Sequence, residues 1–433
     1  MENISESNIK LHKKRNRKLF VLYKFLANDL LFYYTISFLF LSNVKGLSTA
    51  QIVFAESFYP IFKLFFQFPS TITIQKIGKK NSLLIANLCV GIYLFLVLIL
   101  NTTFELILAN VFCAIGFVIK GIAESNFLFD SLENTEDKKE NFSKLEGKAS
   151  AGFFLIDAIT ALATGFLYLI NPYIPMVLSC ICMFLAIIIT CFFREIPISN
   201  LQKQKNQKFS KQLKSQITDT ISGFKYIIKS TRLRALILFN AILVSLLILM
   251  VTLHRSILDS VGVTSEYFGI IFAIMGIVIS FSSSRSVYIH EKYHNKTLSI
   301  LGILLTFSII ITGLSTLINL PKAIMYFVLL LMISISYMVK GPHYVLIKQY
   351  LNSFCDSNMR IKIYSANLFF EYICTATISM TTSLLLNYFS SSFAALIVGI
   401  ISFILMIFLI KYMSTRVGLK PEEYSEKDIC LSK

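Results

Sequence analysis

The sequence predicts an all-α, polytopic membrane protein whose 12 transmembrane helices form two pseudo-symmetric six-helix bundles. Its 433 residues are 55% hydrophobic and 15% charged, whereas a soluble chain is about one quarter charged. The apolar residues fall into about twelve stretches of 18 or more, each long enough to cross the hydrocarbon core as a helix. This pattern excludes the secreted, fibrous and disordered classes.

Short polar breaks separate the predicted spans, except for one long interruption that divides them into two sets of six. The spans cover residues 19–42, 49–74, 81–100, 104–129, 147–170, 174–193, 233–256, 264–288, 297–317, 321–347, 361–387 and 391–413. The predicted organisation is an N-terminal tail (1–18), a first bundle (19–193), a linker (194–232), a second bundle (233–413) and a C-terminal tail (414–433).

The linker contains apolar residues at every third or fourth position, with lysines between them. This spacing is typical of an amphipathic helix that lies on the cytoplasmic surface of the bilayer. The apolar positions are Phe209, Leu213, Ile217, Ile221, Phe224 and Ile228.

Basic residues alternate between the two sides of the predicted topology. The segments on one side contain 34 of the 41 Lys and Arg residues, and the other side has only Lys45, Arg255 and Lys322. By the positive-inside rule, both termini are cytoplasmic. The net charge of +17 therefore indicates membrane orientation and contact with the lipid bilayer, and not nucleic-acid binding. We expect the cell membrane, and a bacterial plasma membrane in particular.

No pattern in the sequence indicates an enzyme, a metal site or a cofactor. The eight cysteines show no CxxC or Cys/His spacing, and most lie in apolar helices. HExxH, GxSxG and phosphate-loop motifs are absent. We expect a monomer that needs no cofactor.

An internal repeat relates the two bundles. A shift of 216 residues places Gly46 on Gly262, and it lays residues 75–80 over 291–296; a shift of 220 places Lys120-Gly121 on Lys340-Gly341. Because the spacing holds across three landmarks, a duplicated six-helix unit is predicted.

Two motifs resemble the major facilitator superfamily of transporters, and the resemblance covers nearly the whole chain. The loop between spans 2 and 3 reads TITIQKIGKK at 71–80, similar to the family signature G-x-x-x-D-R/K-x-G-R/K-R/K. Thr71 and Gln75 replace its glycine and aspartate. The run GIAESNFLFDSL at 121–132 resembles G-x-x-E-A-x-L-Y-D-S-L in a poorly characterised bacterial subgroup. Two other family features are missing. Phe112 stands in span 4 where proton-coupled members have a basic residue, and residues 160–165 lack the proline-bearing motif that exporters have in span 5.

The resemblance implies two halves that rock around a midplane site, with charges at the cytoplasmic ends of the spans acting as a conformational gate. Gln75 weakens the expected latch, because the family's aspartate helps to hold the halves together. Surface charge is the alternative role for the charged members. The gate residues that the resemblance assigns are Gln75, Lys76, Gly78, Lys79, Asp130 and Arg360.

Six ionisable residues lie at similar depths inside the predicted spans, about 7 to 11 residues from the cytoplasmic end, which is roughly 10–17 Å. Charges in hydrocarbon usually face a bundle interior or an aqueous cavity. They are therefore candidates for binding substrate or the coupling proton, and pairs that only fasten helices together are the alternative. The six are Asp29, Lys63, Lys120, Asp157, Lys340 and Glu371.

The repeat suggests one lysine–carboxylate pair in each half, Lys120 with Asp157 and Lys340 with Glu371. Glu124, four residues after Lys120, is an alternative partner. Asp29 is the first choice for the proton, since the resemblance places helix 1 at the cavity.

Several other polar residues are expected to have simpler roles. Glu56 is either an outer gate or interfacial. A packed histidine is favoured over a proton relay at His343, and a solvated outer loop is favoured for His254, Arg255 and Asp259.

These features together predict a secondary active transporter that works by alternating access. The favoured function is proton-coupled export, by antiport, of a small drug-like or peptide-like compound. Uptake or exchange of a small anionic metabolite is the alternative, because two lysines suit an anionic group. A non-transporting receptor is the remaining class.

Overall fold

The computed structural model describes residues 6–133, 138–196, 209–318, 320–354, 357–413 and 417. Most of the predicted C-terminal tail and part of the linker lie outside these residues. Within them the chain is helical, without a strand, which confirms the predicted all-α class.

The helices follow the predicted spans closely. A short 3₁₀ turn, His294–Lys296, precedes α12. The elements are α1 Glu6–Ala27, α2 Ser37–Leu39 continuing into a π-helix Phe40–Val44, α3 Thr49–Ile77, α4 Lys79–Ile99, α5 Thr103–Asp130, α6 Lys138–Ile170, α7 Tyr173–Phe192, α8 Phe209–Lys229, α9 Thr231–Ser260, α10 Ser265–Ser284, α11 Ser286–Tyr293, α12 Thr297–Leu317, α13 Lys322–Ser353, α14 Ser357–Leu386 and α15 Ser391–Met413.

Ten helices of the described residues are long and apolar enough to cross a membrane: α4 to α7, α9, α10 and α12 to α15. Predicted span 2 corresponds to α3, which is long enough but more polar, with Glu56 and Lys63 inside it. Predicted span 1 is interrupted after Ala27. With these two segments the structure accounts for the 12 predicted spans.

The chain forms two compact units. Unit 1 comprises Met1–Leu47, Phe62–Gln216 and Ser265–Ala273; unit 2 comprises Ser48–Ile61, Ile217–Thr264 and Ile274–Lys433. The change at residues 216 and 217 falls inside the predicted linker, and each unit also includes one segment from the other half of the sequence. The two bundles at 19–193 and 233–413 stay a prediction.

Close packing of α4 and α5 holds unit 1 together. A Cβ at Gly116 would lie 2.5 Å from Val90 Cγ2 and 2.8 Å from the carbonyl oxygen of Ala86, so only glycine permits this approach. α5 begins with a capping box, in which Thr102 accepts a hydrogen bond from the Glu105 N–H at 3.3 Å and Glu105 accepts one from the Thr102 N–H at 3.0 Å.

The core of unit 2 surrounds α9, whose buried side chains include Leu236, Phe239, Leu246 and Leu253. Apolar residues of α12, α13, α14 and α15 complete this cluster. α9 is almost entirely buried, which places its polar residues in contact with neighbouring helices.

Part of the predicted linker, residues 209–229, forms the helix α8. Its unit 2 part packs against the start of α14, where a Cβ at Gly223 would lie 2.3 Å from the Lys362 carbonyl oxygen. Asp219 and Lys362 form an ion pair at 2.9 Å, and the ring centroids of Phe224 and Phe369 lie 4.9 Å apart. The helix is therefore attached to protein on this side.

Backbone conformations repeat at the positions that the sequence aligns. Gly46 and Gly262 have φ values of 69° and 82°, and Gly78 and His294 have φ values of 91° and 43°. Positive φ is uncommon outside glycine, so its recurrence at both aligned pairs supports the predicted duplication.

Candidate functional site

Two buried polar clusters, one in each unit, include the predicted site residues Lys120, Glu124 and Glu371. Unit 1 has five of the seven predicted substrate or proton residues and all of the gate residues except one. Unit 2 has Lys340, Glu371 and the gate residue Arg360. Lys63 lies half-buried in α3.

Glu124 is the centre of the unit 1 cluster. Its carboxylate accepts a hydrogen bond from the Tyr23 hydroxyl at 2.6 Å and forms an ion pair with Lys24 at 2.8 Å. Lys24 also reaches Glu146 at 3.3 Å. Lys24 is only 6% exposed, and the two carboxylates compensate its charge inside the protein.

Lys120, 3% exposed, belongs to the same cluster. Its ammonium lies 3.9 Å from Glu124 Oε1 and donates a hydrogen bond to the carbonyl oxygen of Ala27. The predicted pair with Asp157 is wrong, since among the described residues Lys120 pairs with Glu124, the alternative partner. Equal depth of two residues in their spans is not sufficient to predict an ion pair, because the direction in which each side chain leaves its helix decides which groups meet.

The Ala27 carbonyl is an acceptor because α1 ends there, in the middle of predicted span 1. Residues 31–36 form turns, and Phe32 has a φ of 62°. The expected continuous helix over 19–42 is therefore wrong. Non-helical backbone at membrane depth occurs where it is buried in protein or lines an aqueous cavity, and Lys120 satisfies one of the carbonyls at the end of α1.

Asp29 lies directly after this helix end and accepts a hydrogen bond from the Leu30 N–H at 3.0 Å. Its charge acts on Lys120 and on the carboxylate of Asp157. The break in span 1 thus brings Asp29 into electrostatic contact with a lysine and with a second acid.

Asp157 is exposed, yet it lies on the inward side of α6. On a helical projection it falls between Phe153, Ala161 and Thr164, which are 3%, 7% and 0% exposed. Asp157 therefore shares one face of α6 with buried residues.

At the cytoplasmic end of unit 1, Lys79 forms an ion pair with Asp130, so the structure brings together two predicted gate residues. Glu195, which sequence reasoning missed, accepts the backbone N–H groups of Lys79 and Lys80 at 2.9 and 2.7 Å. Glu195 thus provides acceptors for two backbone N–H groups at the start of α4, just after Gly78. In the sequence, only the start of a helix at residues 78–80 indicates that free backbone N–H groups there need an acceptor such as a carboxylate.

The remaining gate residues are separated. Lys76, in the last turn of α3, lies over the Phe209 ring at 5.4 Å, and Gln75 precedes it. Arg360 is half-buried in α14 of unit 2. A charge network that includes Arg360 stays a prediction.

In unit 2, Glu371 is held by two amides that the sequence did not single out. Asn240 and Asn367 donate hydrogen bonds to Glu371 Oε1 at 2.5 and 2.6 Å, and the two amides contact each other at 3.2 Å. The pairing of Lys340 with Glu371 stays a prediction. Lys340 borders a partly enclosed cavity together with His254 and Tyr337.

The expected outer loop at His254 and Arg255 is wrong. α9 continues to Ser260, and these residues are 1% and 6% exposed. Glu56 accepts a hydrogen bond from the Thr252 hydroxyl at 2.6 Å, so it contacts protein and not the interface. His343 is 0% exposed, as expected for a packed histidine.

The sequence matches the family model described as Major Facilitator Superfamily over residues 19–377. The chain belongs to the major facilitator superfamily. No curated protein matches it significantly.

Solved transporters share its fold at low sequence identity. A variant of the nucleoside transporter NupG aligns with a TM-score of 0.72 and 14% identity, over 94% of this chain and 100% of that one. A D-xylose–proton symporter aligns with a TM-score of 0.63 and 13% identity, over 95% and 99%. A POT family transporter in complex with 5-aminolevulinic acid gives 0.60 and 14%, over 93% and 95%. These likenesses show that the chain has the fold of these proteins.

Proposed function

We propose that this superfamily member is a proton-coupled secondary transporter of a small organic compound, working by alternating access. The carrying observation is the break in predicted span 1, which leaves Asp29 beside a helix end at membrane depth. Its charge also opposes that of Asp157, and one bound proton removes such repulsion between two carboxylates.

Their surroundings support this role. Asp29 follows the broken end of α1, and Asp157 is exposed along the buried stripe of α6. Broken helices at membrane depth form substrate and ion sites in many transporters. Lys120, already engaged by Glu124 and the Ala27 carbonyl, holds this break in place.

For substrate and direction, efflux of a drug-like or peptide-like compound is the first candidate. Uptake or exchange of a small anionic metabolite is the second, and the basic cavity residue Lys340 favours it. The structural neighbours include a nucleoside transporter and a D-xylose–proton symporter, and a sugar or nucleoside cargo belongs in the same substrate screen.

Accumulation and efflux of a labelled compound panel, measured in cells with and without a protonophore, test this function. We expect Asp29→Asn to abolish gradient-driven movement of the transported compound. Asp219→Asn is the matched control, because this carboxylate lies in α8, outside the membrane spans, and pairs only at the surface with Lys362. Undiminished gradient-driven transport in Asp29→Asn would contradict the proposal.

A further inference from the structure

A partly enclosed cavity lies within unit 2, between α9 and α13. Four polar side chains border it, His254, Ser336, Tyr337 and Lys340, together with three apolar residues of α9. It has space for about one water molecule. The cavity thus combines an apolar wall with several polar groups.

The imidazole of His254 supplies an independent observation. It is 1% exposed, and neither of its ring nitrogens has a hydrogen-bond partner among the described residues. Buried polar groups in proteins are nearly always satisfied, and an unsatisfied one is unfavourable. The cavity beside this imidazole has space for one polar atom that would complete its bonding.

The charge of the lining indicates which ligand. Lys340 is a cation, Tyr337 and Ser336 carry hydroxyl donors, and none of the seven lining residues is an acid. The buried acid Glu56 binds Thr252, which lies on a different face of α9 from His254. The cavity therefore favours a negatively charged acceptor.

The size of the cavity narrows the choice further. Space for about one water admits a single oxygen atom of an anionic group beside the imidazole. Resting on the proposed transport function, we infer that this cavity, through His254, Tyr337 and Lys340, binds the carboxylate group of the transported solute. The substrate class is then a small organic acid.

His343 provides a matched control. It is as buried as His254, at 0% exposed, and its two ring nitrogens also lack partners among the described residues, but it does not border the cavity. A change at His343 therefore tests the effect of losing a buried imidazole without changing the proposed site.

The test measures binding by the purified full-length chain in detergent. The probes are sodium salts of monocarboxylic acids from acetate to benzoate, with sodium chloride at equal ionic strength, and the readout is the thermal unfolding midpoint. Since a ligand of the native state stabilises it by mass action, we expect at least one carboxylate to raise the midpoint above the chloride value. The fitted Kd should weaken at least tenfold in His254→Leu and in Tyr337→Phe, and stay within twofold in His343→Leu.

A second readout identifies the contact directly. In protein labelled with ¹⁵N-histidine, one of five histidine signals should disappear in His254→Leu and so be assigned. Adding the carboxylate should shift that signal and leave the His343 signal unchanged. Tyr337→Phe removes a single hydroxyl, so it keeps the test available if His254→Leu does not fold.

Three results would overturn the inference: no carboxylate stabilises the protein, chloride gives the same shift, or binding survives in both cavity variants. Binding in detergent needs neither a gradient nor a direction. If the wild-type protein binds carboxylates at this cavity but moves no protons during transport, the proposed proton coupling is refuted and the proposed binding site is not.

Discussion

Glu124 is the residue on which the unit 1 cluster depends. Its carboxylate, with its side chain 9% exposed, serves Lys24 and the Tyr23 hydroxyl and lies closest to the Lys120 ammonium. Removing one member of a buried charge pair is far more unfavourable than losing a surface pair, because the remaining charge has no solvent to replace its partner.

We expect Glu124→Gln to lower the free energy of unfolding by about 3 kcal/mol, measured by an unfolding titration in mixed micelles. Glu140→Gln is the control, since Glu140 and Lys144 form an exposed ion pair of the same i,i+4 type at 2.6 Å. It should change stability little. Equal effects of the two variants would show that burial does not determine the contribution of Glu124.

At the residue scale the sequence predicted which ionisable groups are buried better than how they pair. Lys120 and Asp157 were placed at one depth, but only the structure shows Lys120 directed toward Glu124. The Asn240 and Asn367 amides carry no charge and lack a motif, so nothing marked them as ligands of Glu371. His254 lies at the outer end of predicted span 7, where a solvated loop is favoured, but α9 continues to Ser260.

At the scale of the element, glycine decides how closely helices approach. Gly116 and Gly121 lie in the same helix, α5, but a Cβ at Gly116 would meet Val90 and the Ala86 backbone, whereas a Cβ at Gly121 would meet nothing within 4 Å. Alanine substitutions at the two positions therefore separate the effect of helix propensity on stability from the effect of helix packing.

Gly116→Ala should destabilise the protein by about 1–3 kcal/mol through overpacking of α4 against α5. Gly121→Ala should be neutral or stabilise it by up to about 1 kcal/mol, since alanine favours helix. Thermal unfolding of both variants in one detergent compares them. If Gly116→Ala were as stable as Gly121→Ala, the close approach of the two helices would be incorrect.

The element that the sequence predicted least well is the first span. Residues 19–42 contain neither glycine nor proline, so no local signal ended a helix there. The break after Ala27 depends on a distant residue, Lys120 of α5, which donates to the freed carbonyl. Tertiary contacts of this kind are not readable from one span at a time.

At the scale of the whole molecule, composition and periodicity were sufficient for the class of protein. Apolar runs, the distribution of basic residues and the repeat predicted a polytopic, duplicated membrane protein. The resemblance of residues 71–80 and 121–132 implied a transporter, and the family match over residues 19–377 agrees. The repeat also appears in the backbone, where Gly46 and Gly262 share positive φ values. Substrate choice depends on a few side chains in each unit, and patterns in a single sequence do not predict the contacts of individual side chains.

The central claim is that Asp29 and Asp157 carry a proton during transport. Purified protein is placed in liposomes that contain a pH-sensitive dye. The compound found to be transported is then added outside, with equal pH on the two sides of the membrane. Proton movement should accompany the compound in the wild type. Asp29→Asn should retain exchange of labelled for unlabelled compound but move no protons. Compound transport by the wild type without proton movement, or unchanged proton movement in Asp29→Asn, would contradict the account.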